Sequence, residues 1–186
     1  MVLGVDGAKL DALPHHSIFL SADWNSSWER PGTREKLPRT ANFYVHVPSR
    51  TDPSAAPAGG DSVMVLLPVA HRAEKLAKWD YAELAEWGRE TVLAQMRAAG
   101  AAIGEGNIVE ESVRTPDDWE SLYALEHGAA FGLAHPLQQL GYFRPANKDA
   151  RTDGLYYVGA STHPGNGVPL CLISAKLAVE RVLEDL

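Results

Sequence analysis

A glycine- and proline-rich segment between two apolar segments is the feature that most constrains what this chain can fold into. It covers residues 158–169 and holds three glycines and two prolines. Residues 155–158 are apolar or aromatic, which predicts a strand, and residues 169–186 predict a helix whose inner face carries Leu170, Ile173 and Leu177. The segment therefore predicts a strand–turn–helix unit, which is typical of α/β proteins.

Such a turn also offers a chemical site. Glycines let the backbone approach a ligand closely, and a helix that begins just after them presents unpaired N–H groups and about half a positive charge. An anion or an electron-rich carbonyl fits there, and a flavin supplies both in its pyrophosphate and at the N1 and C2 carbonyl edge of its ring. Any turn between a strand and a helix also needs glycine, so spacing alone leaves both interpretations open.

The rest of the chain predicts further strands and helices. Period-2 alternation and short apolar runs predict strands at residues 17–20, 43–47 and 62–69, the last of them buried on both faces. Capping patterns predict one helix from Asp80 to Gly100 and another from Thr115 to about Glu126. A brief helical turn is expected around Trp28, and residues 128–153 read as a shaped loop.

Composition excludes several classes of function. Seventeen Lys and Arg against 24 Asp and Glu give a net charge of −7, and no basic block is interleaved with aromatics, which argues against a nucleic-acid partner. The single cysteine, Cys171, excludes an internal disulfide and a multi-thiolate metal site. No apolar run reaches the roughly 20 residues that span a bilayer, whereas peripheral contact with a membrane is compatible with these features.

Two other chemistries have little support in the sequence. Four histidines invite a metal interpretation, but they lack i, i+4 helical spacing and supporting carboxylates, so we predict no metal site: His15, His16, His46 and His71. Ser161 and Ser174 lack the Gly-x-Ser-x-Gly pattern of a hydrolase nucleophile.

Several segments, in one order, resemble the flavin-dependent carotenoid desaturases of the phytoene type. Residues 155–176 resemble the flavin-contacting segment of that family: an apolar strand, Val-Gly-Ala, a small residue, Thr-His-Pro-Gly, and then Gly-Val-Pro. Residues 14–20 resemble its Leu-x-His-His-x-Ile-Phe-Leu element, and residues 43–54, 115–116, 128–135 and 143–147 follow in the family's order. Most of the chain is covered, and several ordered motifs are more specific than one turn.

The resemblance implies an α/β fold, the carboxy-terminal part of a two-domain flavoprotein. Residues 1–127 would belong to the substrate-binding domain with its mixed sheet. Residues 128–186 would return to the FAD-binding domain and supply its closing strand and final helix. The Gly-x-Gly-x-x-Gly turn that opens such enzymes is missing, since Gly100, Gly104 and Gly106 do not fit its spacing. We therefore expect the amino-terminal dinucleotide-binding half to be absent.

The resemblance also implies an activity and a set of site residues. The full enzyme would desaturate phytoene or a similar hydrophobic polyene by transferring hydride to FAD, at the cytoplasmic side of a membrane and in peripheral contact with it. Eight residues would bound the flavin: Gly159, Thr162, His163, Pro164, Gly165, Gly167, Val168 and Pro169. Four would line the substrate channel: Phe131, Leu133, Leu137 and Tyr142.

Alternatives remain for individual residues and for the whole chain. Aromatic and aliphatic loop residues more often fill a core, and His163 before a proline can simply hydrogen-bond the backbone. Arg144 could lie near the active site or pair with an acid, and pairing with an acid is the slightly favoured expectation. No catalytic residue and no oligomeric state follow from the sequence. The chain could also derive from a carotenoid isomerase or another polyene desaturase, or be a catalytically silent product that needs a separate amino-terminal half.

Overall fold

The computed structural model describes residues 1–8, 10–25, 27, 37–71 and 80–186, so the turn predicted around Trp28 lies outside the described residues. The chain forms two compact units, Met1–Gly128 and Ala129–Leu186. The assignment of these parts to a substrate domain and an FAD domain stays a prediction.

The first unit is built on a five-stranded sheet in the order β2-β3-β4-β1-β5. Its strands are β1 (Val2–Asp6), β2 (His16–Phe19), β3 (Phe43–His46), β4 (Gly60–Leu66) and β5 (Ile108–Ser112). Each pairing is antiparallel, so the expectation of a mixed sheet is wrong for the described residues. The predictions of β2 and β3 are confirmed, whereas β1 and β5 were not predicted.

Strand β4 is buried on one face only. Val63 and Val65 are buried, while Leu66 is 44% exposed, so the continuous apolar run had suggested more burial than the strand has. An antiparallel sheet covers one face with the core and leaves the other toward solvent, which gives this alternation. Val63 and Val65 belong to a core cluster shared with other strands and with helix α1 (Tyr81–Ala98).

The two predicted helices of this unit are confirmed together with their caps. The Asp80 side chain accepts a hydrogen bond from the Ala82 N–H at 2.8 Å, at the start of α1. Thr115 and Asp118 form a capping box for helix α2 (Pro116–Tyr123). Helix α2 ends before the predicted Glu126, because Ala124 turns into the left-handed region with φ of 52°.

The second unit contains one α-helix, α3 (Val168–Glu184), which confirms the prediction from residue 169 onward. Residues 155–158 do not form the predicted strand; Tyr156 makes only an isolated antiparallel bridge with Lys148. A strand needs a neighbour along its length, and the described part of this unit provides just this bridge. On the predicted inner face of α3, Ser174 is buried and Leu177 half-buried, whereas Leu170 and Ile173 are 37% and 46% exposed, so this face is buried only in part.

Among the described residues, no helix combines the length and the apolar character needed to cross a membrane.

Candidate functional site

Three glycines hold the turn before α3 in backbone conformations that other residues rarely adopt. Their φ angles are 117° at Gly159, 151° at Gly165 and 103° at Gly167. A Cβ atom built on Gly159 or Gly167 would meet nothing within 4 Å. Backbone conformation therefore requires glycine at these two positions, and the space beside them is open to a ligand.

The turn leads directly into an uncapped helix N-terminus. Gly167 is the N-cap residue of α3, and no side chain caps the first turn. The Cys171 N–H closes that first turn on the Gly167 carbonyl at 2.9 Å. The N–H groups that precede it have no intrahelical partner by geometry, and they carry the positive end of the helix dipole. Because Val168 is 77% exposed, this end of the helix is accessible.

Thr162 and His163 anchor the turn through the same carbonyl. The Thr162 hydroxyl donates to the Pro145 carbonyl at 2.7 Å, and the His163 N–H donates to that oxygen at 2.9 Å. Thr162 is buried, so its hydroxyl holds the turn in place and is engaged within this chain. These bonds involve the main chain of His163, so the role of its imidazole stays a prediction. Contact of either residue with a cofactor stays a prediction.

Asn147 and Ser174 fasten the turn to the middle of α3. The Asn147 side-chain amide lies 3.1 Å from the carbonyls of Tyr157 and His163 and from the Ser174 hydroxyl. That hydroxyl in turn accepts from the Gly159 N–H at 3.1 Å. Ser174 is fully buried and Asn147 nearly so. These two side chains thus fix both the entry and the middle of the glycine-rich turn.

Arg144 is the largest buried polar group of the second unit. The residue is only 2% exposed. Its guanidinium donates to main-chain carbonyls rather than to an acid. The acceptors are the carbonyls of Leu133, Ala134, Gln139, Ala160 and Thr162. Among the described residues no carboxylate pairs with it, so the expectation of an acidic partner is wrong. Arg144 instead ties the loop of residues 133–139 to the glycine-rich turn.

The sequence carries little signal for this anchoring. The carbonyls that Arg144 and Asn147 contact lie up to 18 residues away and belong to residues of no particular type. The enclosing motif, residues 143–147, marked the region as part of a family pattern but did not reveal the role of either side chain.

The predicted substrate-lining residues are mostly at the surface. Phe131 is 62% exposed, Leu137 73% and Tyr142 91%, while Leu133 is half-buried. The alternative that such residues fill a core is therefore wrong for the first three within the described chain. Their loop is docked on the turn, since the Leu133 N–H donates to the Ser161 hydroxyl at 3.3 Å. Contact with a substrate stays a prediction.

A charged group ties the carboxyl end of α3 to the isolated bridge. The Asp185 carboxylate accepts from the Lys148 ammonium at 2.6 Å and from the Tyr156 hydroxyl. Two hydrogen bonds lower the pKa of Asp185 below its ordinary value. The bond from Lys148 has the larger effect, and the bond from Tyr156 has the smaller one. The same contacts raise the pKa of Lys148. The carboxylate is thus held in its ionised form at neutral pH.

Three histidines of the first unit meet on one side of the sheet. His16 in β2 pairs with His46 in β3, and His15 precedes β2. One ring nitrogen from each lies within 4.8 Å of the others. The spacing argument considered only residues that are close in sequence, whereas strand pairing brings together residues that are distant in sequence. The absence of a metal site stays a prediction. His71 lies apart from them, with its ring 6.3 Å from that of His127.

Burial lowers the pKa of His15, and the neighbouring rings of His16 and His46 lower it further.

Comparison with known proteins gives relatives of one kind. No family model matches the chain. The chain is 42% identical over 174 residues to a phytoene desaturase of Neurospora crassa, covering 93% of this chain and 29% of that protein. It is 40% identical over 172 residues to a zeta-carotene-forming phytoene desaturase of Myxococcus xanthus, covering 92% of this chain and 32% of that protein. The chain is 36% identical over 186 residues to a carotenoid 3,4-desaturase of Haloarcula japonica, covering 100% of this chain and 36% of that protein.

The chain thus spans about a third of the length of the curated relatives it matches. Identity of this size over nearly all of its residues, together with the ordered motifs, shows that the chain belongs to the family of phytoene-type carotenoid desaturases.

Proposed function

We propose that this chain supplies one wall of the FAD site, and part of the substrate channel, of an oxidoreductase that desaturates phytoene or a related carotenoid precursor. The observation that carries the proposal is the turn of residues 159–167, whose open glycines lead into the uncapped N-terminus of α3. The names of the relatives, which are phytoene and carotenoid desaturases, support the substrate class.

The turn fits an electron-rich planar ring. Backbone atoms of Gly159, Gly165 and Gly167 can approach it closely, and the first N–H groups of α3 can donate to its carbonyl edge. FAD, when bound, would accept the hydride that desaturation removes from one carbon of the substrate, while the neighbouring carbon loses a proton. The contribution of this chain is to orient the cofactor and to keep the turn fixed, for which it uses the bonds from Arg144 and Asn147.

A hydrocarbon polyene offers no hydrogen-bonding groups, so its channel must be apolar. We propose that Phe131, Leu133, Leu137 and Tyr142 contribute to that channel. The exposure of these side chains supports this assignment. A folded unit rarely exposes several large apolar side chains of one loop unless another surface or a ligand covers them. The rest of the enzyme and the substrate together would cover them.

We further propose that the full enzyme works at the cytoplasmic face of a membrane, in peripheral contact with it, because its substrate dissolves in lipid. Phe143 is 63% exposed, and an aromatic side chain of this kind favours the membrane interface. Phe143→Ser in a chimera with a relative should reduce sedimentation with anionic vesicles. Unchanged sedimentation would contradict a role for this residue.

The decisive experiment places this chain where its relatives carry the matching segment. We propose a chimera in which the chain replaces the aligned 172 residues of the Myxococcus xanthus enzyme. The purified chimera should be yellow with one FAD per chain, and it should convert phytoene into products with more double bonds. A folded chimera that holds no flavin would sink the cofactor assignment. Products with an unchanged number of double bonds would favour the isomerase alternative. A chimera that binds flavin but converts no substrate would favour the alternative that the chain is catalytically silent.

Matched glycine variants separate the cofactor role from backbone strain. Gly159→Ala and Gly167→Ala place a methyl group where the cofactor ring is proposed to lie. Gly59→Ala and Gly100→Ala are controls for backbone strain, because these glycines have φ angles of 84° and 95°, a built Cβ there comes no closer than 3.3 Å to another atom, and both lie outside the turn. FAD occupancy should fall at least about tenfold in the first pair and little in the controls. An equal loss in all four would mean that strain, not ligand contact, causes it.

A further inference from the structure

We propose that His15, His16 and His46 bind one divalent transition-metal cation of the Zn²⁺ class. These residues lie in the first unit, and no step of the proposed desaturation uses them. The inference is therefore independent of the FAD site and succeeds or fails by itself.

The geometry is close to that of a three-histidine site. One ring nitrogen of each residue lies within 4.8 Å of the other two, and the Nε2 atoms of His15 and His46 are 2.7 Å apart. Zn²⁺ binds imidazole nitrogen at about 2.0–2.1 Å, so tetrahedral ligands lie about 3.3 Å from one another. The rings of His15 and His16 are both stacked on that of His46, at interplanar angles of 30° and 18°, so binding requires side-chain rotations that turn the in-plane lone pairs toward one point. The backbone of the paired strands can stay where it is.

The outer nitrogens of two rings already have partners. The Thr51 hydroxyl is hydrogen-bonded to Nδ1 of His15, and the Tyr44 hydroxyl lies 2.7 Å from Nδ1 of His16. When a hydroxyl accepts from Nδ1–H, it fixes the tautomer that leaves the Nε2 lone pair available to a metal. Such outer partners orient histidine ligands in metalloproteins generally. The stacked rings of His15 and His16 therefore each already have a hydroxyl partner of the kind that histidine ligands use.

The donor set selects the class of metal. Three neutral imidazoles suit Zn²⁺, Co²⁺, Ni²⁺ and Cu²⁺, whereas Mg²⁺ and Ca²⁺ prefer oxygen ligands. His16 is exposed and β2 is an edge strand, so a fourth coordination position faces solvent and can hold water. Three protein ligands with one open position are an arrangement that Zn²⁺ commonly adopts in proteins.

The test uses the 186-residue chain without a histidine tag, freed of metal by a chelator. Co²⁺ titration should give the visible absorption of a tetrahedral site that saturates at one equivalent, and Zn²⁺ should displace it. His15→Ala, His16→Ala and His46→Ala should each weaken Zn²⁺ binding at least about 100-fold, since loss of an outer partner alone typically costs 10–100-fold. His135→Ala, which removes an exposed histidine of the second unit, should bind like the wild type.

Outer-partner variants give a second measurement. Thr51→Val and Tyr44→Phe should weaken Zn²⁺ binding about tenfold or more without changing the stoichiometry. Far-UV circular dichroism checks the fold of each variant, and Asn replaces Ala where an Ala variant does not fold. The proposal is overturned if the folded wild type shows no one-to-one binding at micromolar Zn²⁺. It is overturned equally if the variant lacking all three histidines binds Zn²⁺ as well as the wild type, and the cluster is then a hydrogen-bonded stack only.

Discussion

Loss of the Arg144 side chain should loosen the second unit and leave the first unchanged. The guanidinium donates to five main-chain carbonyls, of which that of Thr162 belongs to a buried residue and those of Leu133, Gln139 and Ala160 to half-buried ones. In Arg144→Met, those carbonyls that water can reach form hydrogen bonds with water instead, so their loss of the guanidinium costs little free energy. A buried carbonyl without a donor costs about 1–3 kcal/mol, so the Thr162 carbonyl together with one half-buried carbonyl that water does not reach would cost about 2–6 kcal/mol.

The variant also no longer pays for desolvating a guanidinium, which offsets part of that loss. The net cost should be about 2–4 kcal/mol for opening the second unit. Arg144→Lys keeps the charge but has three donors instead of five, so its cost should be about half of this. Arg151→Met is the matched control, since Arg151 is an exposed arginine of the same unit.

Hydrogen exchange followed by mass spectrometry measures this opening locally. Each 1.4 kcal/mol is a factor of ten, so amides of residues 159–163 should exchange about 30- to 700-fold faster in Arg144→Met. Amides of α1 serve as an internal reference, because they belong to the other unit. Exchange within about threefold of the wild type at residues 159–163 would refute the idea that Arg144 holds the turn. Equal acceleration in α1 would show global unfolding instead.

Two further predictions concern stability. Gly128→Ala should destabilise the first unit by about 3 kcal/mol or more in urea unfolding followed by tryptophan fluorescence, because the new Cβ would lie 2.2 Å from the Pro116 carbonyl oxygen at a φ of 67°. Gly106→Ala, where a Cβ meets nothing within 4 Å, should change stability little. The pKa of Asp185 is lowered in the folded chain, so its contribution is present above the ordinary value of about 3.9 and is lost as pH falls through the lower folded value. Exchange at the end of α3, corrected for intrinsic rate, should therefore rise on acidification in the wild type but be already raised and flat with pH in Asp185→Asn.

Local signals predicted the helices well and the sheet less well. Asp80, Thr115 and Asp118 cap their own helices, so their effect is visible within four residues of sequence. Strand β5 carries Glu110 and Glu111 and has no apolar alternation, so only its partner β1 identifies it. Residues 155–158 also show that a strand depends on its partner. Their apolar pattern predicts a strand, but within the described chain they form only one isolated bridge.

The sites show the same division. The glycines of the turn are visible in the sequence because the backbone conformation itself demands the residue type. The histidine cluster is not visible, since His15 and His46 are 31 residues apart and meet only through the register of β2 and β3. The anchoring by Arg144 is equally hidden, because a main-chain carbonyl can belong to any residue.

These contacts also explain how a turn with three glycines can form a defined site. Glycine gives the backbone its freedom to face a ligand, but it raises the entropy that must be lost for the turn to hold one shape. Hydrogen bonds to the rest of the second unit offset this loss. Arg144 and Asn147 donate to carbonyls of the turn, and the Thr162 hydroxyl of the turn donates to the Pro145 carbonyl. Carbonyls are thereby engaged within the protein, while the first N–H groups of α3 stay uncapped. A site arranged in this way presents donors and positive potential, which suits an electron-rich ring and disfavours a cation.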